Sequence, residues 1–320
     1  MPFKVIITRD FEHMSAVGAD IVTGSIRQVL DRQDRFILGL ATGNTPTGLY
    51  KHLAKAANGG AFTSARITSF NLDEYIGLPG ENPQQRTLHP ESYSFFMIRE
   101  LFGLLRENFR ATYVPWGALI DQERLEAELA AYPGDWEKQG ADKGKAVIIH
   151  PDAASDYLRW IRNEILDAYE QKIAATGGID LHVIGVGGRG HVAFHEAGIP
   201  FAGNRMLLVQ LDDNTIDNAV ADGHFPHREE SPRFAVSMGA ELVYEAKSVL
   251  LLANGKRKAE PVAASLLGDV NEQVPISYGK VLADRGGEMI YVLDREAAAN
   301  LLAQADRIKS RNIEIDDLTG

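Results

Sequence analysis

Four short stretches of this chain hold the residue types that could move protons or grip an anion. In Gly185-Val-Gly-Gly-Arg-Gly-His-Val-Ala-Phe-His-Glu196, His191 follows Gly190 directly and Glu196 comes five residues later, close enough for a turn to set the carboxylate on the imidazole. Such a carboxylate orients the ring and raises its pKa, which suits acid-base work near neutrality. A lone histidine is more often a core residue bonded to backbone; the surrounding glycines count against that reading here. Asn71-Leu-Asp-Glu-Tyr75 offers adjacent carboxylates, one of which, partly buried beside the other, would make a general base. Alternation along an extended chain points Asp73 and Glu74 apart, so one is expected in a cleft and the other in a structural role.

The other two stretches suit anion binding. Thr42-Gly-Asn-Thr-Pro-Thr-Gly48 combines a tight-turning Gly43, the hydroxyls of Thr42 and Thr45, and a proline suited to the first helical position. Amides at that helix start would face an anion such as phosphate, although an ordinary threonine-capped turn uses the same residue types. The GK[ST] ending of a nucleotide P-loop is absent. Asn254-Gly-Lys-Arg-Lys258 sets three cations at a helix N-terminus, against the macrodipole, and an anionic ligand would account for them.

Each stretch follows an apolar run, and the runs set the architecture. They lie at Phe3 to Thr8, Phe36 to Ala41, Arg66 to Asn71, Leu181 to Val186, Met206 to Leu211, Phe234 to Ser237, Ser248 to Ala253 and Met289 to Leu293. Helical patterns fill most gaps: Ser15 to Arg32, Thr47 to Ala57, Ser92 to Leu105, Lys256 to Leu267 and Arg295 to Lys309. The alternation predicts an α/β fold, a mostly parallel, doubly wound, Rossmann-like sheet flanked by helices. Ligands bind such sheets outside the C-terminal strand ends, where all four stretches fall. Residues 116–175 break the rhythm with two charged helical patterns and a polar, turn-rich centre. They read as a helical insertion or subdomain within one domain spanning residues 1–320. Pro79 to Pro90 reads as a long loop of the kind that often carries function.

Composition narrows the partners. With 45% hydrophobic residues the chain can bury a full core, and with no cysteine it has no thiolate chemistry, disulfides or Cys-based metal sites. A net charge of -11 without a long basic block argues against nucleic acid. No apolar run reaches the roughly 18 residues of a membrane span and the N-terminus lacks a signal-peptide layout, so no membrane partner and a cytoplasmic location are expected.

Gly185, Gly187 and Gly190 also spell GxGxxG, a dinucleotide fingerprint. The connection that follows argues otherwise: it is broken by Gly198 and Pro200 and is too short for the usual crossover helix. The motif also falls past mid-chain, not in a first βα turn.

Taken together and in this order, Leu38-Gly-Leu-Ala-Thr-Gly-Asn-Thr-Pro46, Phe70-Asn-Leu-Asp-Glu-Tyr-Ile-Gly-Leu78, His89-Pro-Glu-Ser-Tyr-Ser-Phe-Phe96, Gly190-His-Val-Ala-Phe194 with Glu196, and Gly255-Lys-Arg-Lys-Ala259 resemble the glucosamine-6-phosphate deaminase/isomerase family, relatives of the 6-phosphogluconolactonases. The resemblance covers most of the chain apart from the insertions. It implies that Asp73 moves a proton between C2 and C1 of an open-chain sugar. His191 would open the sugar ring with Glu196 orienting it, Thr42, Gly43, Asn44 and Thr45 would cradle a sugar phosphate, and Lys258 would pair with it. It implies no metal or organic cofactor, and it leaves a homo-oligomer open, since the family is often oligomeric.

The chain departs from the pattern in places. Arg189 stands where the family usually has Asp or Asn, and His195 where it commonly has asparagine. A further phosphate-binding arginine of the family aligns with Ala221, leaving Arg189, His224 or Arg228 to supply its charge. A basic pair that serves allosteric control in some relatives aligns with Leu207 and Val209, so regulation by an acetylamino sugar phosphate is not expected. Two rival readings keep the pocket and change its use: a lactonase in which His191 activates water, and a sugar-phosphate sensor that no longer opens the ring.

Overall fold

The computed structural model describes residues 3–140, 144–311 and 313–320. Its strands are β1 (Phe3–Thr8), β2 (Phe36–Leu40), β3 (Ile67–Asn71), β4 (Asp73–Ile76), β5 (Ala111–Tyr113), β6 (Trp136–Gln139), β7 (Lys145–Ile149), β8 (Leu181–Ile184), β9 (Met206–Gln210), β10 (Phe234–Met238), β11 (Ser248–Ala253), β12 (Glu288–Asp294) and β13 (Ile313–Asp317). Eight of them form one sheet in the order β13-β1-β12-β11-β8-β2-β3-β5, with every pairing parallel.

Strand alternation divides the core between the two faces of this sheet. Val249, Leu251 and Ala253 pack one way, against Val262 and Leu266 of the helix Ala259–Leu267 and Leu301 of the helix Arg295–Leu302. Leu250 and Leu252 pack the other way, against Val22 and Ile26 of the helix Phe11–Leu30 and Leu49 and Leu53 of the helix Thr47–Asn58. Helices on both faces make this the doubly wound α/β arrangement that the sequence pattern predicts. Two expected helices are broken: Ser92 to Leu105 becomes a helix over Tyr93–Glu100 and a 3₁₀ turn over Phe102–Leu104, and Arg295 to Lys309 breaks after Leu302.

Two apolar runs leave the parallel sheet. β9 and β10, expected as further parallel strands, belong to a second sheet, β4-β10-β9-β7-β6, in which every pairing is antiparallel. The segment between β8 and β9 contains no helix, the element that usually carries a chain back parallel to the same sheet. Residues 116–175 supply β6 and β7, the helix Gln122–Ala131, and a helical segment that runs Asp156–Trp160, widens to a π-helix over Ile161–Asp167 and continues as Ala168–Ala175. Leu125, Leu158, Ile161 and Ile165 cover one face of the second sheet at Val147, Leu208 and Val236. The other face, with Tyr75, Leu207 and Val209, meets Phe194 and Phe225.

Leu72 is the pivot between the sheets. Its amide donates to Leu40 in β2, and its carbonyl accepts from Met238 in β10. Asp73 therefore emerges where the parallel sheet ends and the antiparallel one begins. Among the described residues no helix is long and apolar enough to cross a membrane.

Candidate active site

All four stretches converge on one cleft of about 460 Å³ at the C-terminal ends of the parallel strands. Thr42 to Thr45, Asp73, His191 and Asn254 to Lys258 all line it. A second cavity, of about 560 Å³, lies against the helices Ala259–Leu267 and Arg295–Leu302 and includes none of these residues.

Asp73 and Glu74 part as alternation requires. Asp73 is 6% exposed, and its Oδ1 has no hydrogen-bond partner among the described residues. Burial, then the neighbouring Glu74 charge, pushes its carboxyl well above the usual range, with the Thr42 hydroxyl acting the other way. Glu74 points away from the cleft into a nest of donors: the amides of Tyr75, Tyr93 and Ser94 and the hydroxyls of Ser92 and Ser94, all at 2.8 to 3.1 Å. It thereby holds the start of the helix Tyr93–Glu100, where a negative charge complements the helix dipole.

His191 and Glu196 meet as the spacing suggests. His191 Nδ1 lies 3.1 Å from Glu196 Oε2; a proton on that nitrogen is donated to the carboxylate, and Nε2 is left to accept. A Cβ at Gly187 would stand 2.0 Å from Nε2, so only glycine lets the loop close on the ring. Ala193, at φ 50°, carries the chain through a left-handed turn between the two residues. Burial raises the Glu196 carboxyl, but the His191 charge and the bonds from His191, Thr215 and Asp212 more than offset this and hold it below its usual value. His195 takes no part: it is fully buried, its Nε2 donates to the Ile199 carbonyl and its Nδ1 accepts from the Ala240 amide.

In the same cleft, Thr45 Oγ1 donates to Asn254 Oδ1 at 3.0 Å and ties the two loops together. No side chain caps the first turn of the helix Thr47–Asn58, so its amides stay free of side-chain acceptors beside the Thr42 to Thr45 loop. Lys258 Nζ donates to the Val186 carbonyl at 2.6 Å. Burial, then Arg257, lowers its pKa.

Residues 142–286 match the family of glucosamine-6-phosphate isomerases/6-phosphogluconolactonase. A glucosamine-6-phosphate deaminase from Shewanella loihica is 32% identical over 98% of this chain and 94% of its own length. The chain belongs to this family. A glucosamine-6-phosphate deaminase from a Thermoanaerobacter species is 31% identical over 92% of the chain and 94% of its own length. A solved monomeric glucosamine-6-phosphate deaminase superposes with a TM-score of 0.67 at 26% identity, covering 93% of this chain and all of that one. The fold alone is shared with the 6-phosphogluconolactonase from Thermotoga maritima, with a TM-score of 0.59 at 16% identity. This member of the glucosamine-6-phosphate isomerase/6-phosphogluconolactonase family is accordingly an enzyme.

Arg189, a candidate phosphate ligand from the sequence, donates from Nη1 to Asp212 Oδ2 at 3.0 Å and is not among the residues that line the cleft. The Asp212 side chain is 5% exposed, and a carboxylate so buried draws the nearest guanidinium to it. Arg228 likewise pairs with Asp213 and Asp217 and does not line the cleft, whereas His224 does line it and pairs with Glu91. Leu207 and Val209 are sealed in the second sheet.

Several lining residues went unread in the sequence. Tyr75, Tyr93 and Phe194 form an aromatic wall with ring centroids 4.9 to 6.0 Å apart. Thr215, Asn218 and Asp222 come from the helix Asp213–Ala221 and its end. The helix start had a signal in Asp212-Asp-Asn-Thr215, an N-cap residue followed by polar first-turn residues.

Proposed function

We propose that this enzyme isomerises and deaminates an amino sugar phosphate of the glucosamine-6-phosphate type. The observation that carries the reading is Asp73: a buried carboxylate with a free oxygen, facing the same cleft as the His191–Glu196 pair. The phosphate would lie against the first turn of the helix Thr47–Asn58, the Thr42 to Thr45 loop and Lys258. With the phosphate held there, C1 and C2 would lie near Asp73 and His191, which line the same cleft.

His191, with Nδ1–H held by Glu196, would accept the ring hydroxyl proton at Nε2 and return it to the ring oxygen, giving the open-chain aldehyde. Asp73 would then take the C2 proton. The C2–H electrons form a C1=C2 bond as the aldehyde oxygen takes a proton from the substrate's own C2 ammonium group, leaving an enolamine. Asp73 would return its proton to C1, leaving an iminium at C2. Water adds there and ammonia leaves, giving the ketose phosphate. Burial serves this chemistry by making Asp73 a stronger base than a solvated carboxylate.

The test is solvent deuterium incorporation during turnover of glucosamine 6-phosphate. Asp73→Asn is expected to lower exchange by at least about a thousandfold while leaving substrate affinity within a few-fold. Exchange at the wild-type rate would overturn the assignment, and lactone hydrolysis surviving in that variant would favour the lactonase reading.

A further inference from the structure

We infer that Thr215 is a positioning residue for the His191–Glu196 pair, acting through a hydrogen bond to the carboxylate oxygen that does not face the histidine. The inference rests on the proposed ring-opening role of that pair. Glu196 is 2% exposed and its oxygens have separate tasks. Oε2 faces His191 Nδ1 at 3.1 Å, while Oε1 accepts from Thr215 Oγ1 at 2.6 Å and from the Asp212 amide at 3.5 Å. The stem of the side chain is also confined, since a Cβ at Gly144 would stand 2.7 Å from Glu196 Cβ and Cγ. The carboxylate thus has one orientation in which both ends are bonded.

Both donors to Oε1 belong to the start of the helix Asp213–Ala221. Asp212 is its N-cap, accepting from the Asn214 amide at 2.6 Å, and Thr215 lies three residues on. A buried anion at a helix N-terminus is favoured by the dipole and by donors left unsatisfied within the helix. The same Asp212 holds Arg189 through its other oxygen. One turn of helix therefore fixes Glu196 and answers the positive charge that the catalytic loop carries beside His191.

The consequence for chemistry is a defined tautomer. With Glu196 held ionised, the proton of the neutral imidazole stays on Nδ1 and Nε2 keeps its lone pair for the sugar. Without the Thr215 hydroxyl, Oε1 keeps, among the described residues, only the long amide contact. The carboxylate then binds a proton more readily and is free to rotate away from the ring.

Thr215→Val removes the hydroxyl at nearly constant shape, and Thr215→Ser keeps it. With glucosamine 6-phosphate as substrate, Thr215→Val is expected to lower kcat by about ten- to a hundredfold with KM changed less than about threefold. Its acid limb of kcat against pH should also move upward. Thr215→Ser should restore most of kcat and the original profile. Wild-type kcat and profile in Thr215→Val overturn the inference, as do equal losses in both variants, which would mark a packing role. His191→Ala separates the two layers of argument. If it keeps full activity, the ring-opening reading fails and Thr215 with it; if it is inactive while Thr215→Val matches wild type, only the positioning inference fails.

Discussion

Asp73 and Glu74 are the same chemistry at adjacent positions, and their surroundings give them opposite uses. Among the described residues, Asp73 has a buried oxygen with no donor, and Glu74 has five donors. Replacing Glu74 by Ala strands those donors inside the protein and removes the charge that complements a helix start, which should cost about 3 kcal/mol or more in urea unfolding. Asp73→Asn, which removes a poorly solvated charge, should leave stability within about 1 kcal/mol or raise it. A loss under 1 kcal/mol for Glu74→Ala would mean that the Ser92 to Ser94 turn holds itself. Alternation alone was enough to part these two side chains on paper. It could not show what Glu74 does, because four of the five donors arrive from 18 to 20 residues further along, across a loop with no periodic signal. The pairing of Arg189 with Asp212 was unreadable for a similar reason, as Asp212 lies beyond an irregular connection and a strand.

The elements that would hold the proposed phosphate are two strand-to-helix junctions, and among the described residues no side chain caps either helix. The turn after β11 begins at Gly255, whose φ of 84° points the chain back over the cleft and whose amide is held by Asp294. Among the cations there, Lys258 is the most buried, bonded to the Val186 carbonyl, whereas Arg257 is more exposed and pairs with Asp222. Lys258→Ala should therefore weaken a phosphorylated sugar by about 30-fold, near 2 kcal/mol, and its unphosphorylated analogue by less than about threefold. Equal losses, measured by calorimetry or by KM, would remove the phosphate from these junctions. The junctions were readable because a strand followed by glycine, hydroxyls and cations has a local signature. The partner of each strand was not: an apolar run of five residues looks alike in either sheet, and β9 and β10 differ from β2 only in what lies opposite.

Across the whole molecule, two buried histidines tie folding to pH. His182 in β8 fills the space beside Gly39 of β2, where a Cβ would come within 1.6 Å of its ring. Its Nδ1 donates to the Val243 carbonyl, and its Nε2 is buried with no partner among the described residues. His195 uses both nitrogens, and a second proton would break its bond from the Ala240 amide. Burial lowers each from the ordinary 6.5 to about 4. The unfolded chain takes up these protons between those two values and the folded chain does not, so the contribution is complete above pH 6.5 and is lost as pH falls towards 4. The loss comes to roughly 3 kcal/mol for each histidine. Asp73 and Glu74, whose carboxyls are raised by burial, act in the opposite sense, so the wild-type slope alone does not isolate the histidines. His182→Asn and His195→Asn do: each should show a flatter fall in urea midpoint from pH 7 to pH 5 than the wild type, whatever its stability at pH 7. Parallel slopes in all three proteins would place the acid sensitivity elsewhere.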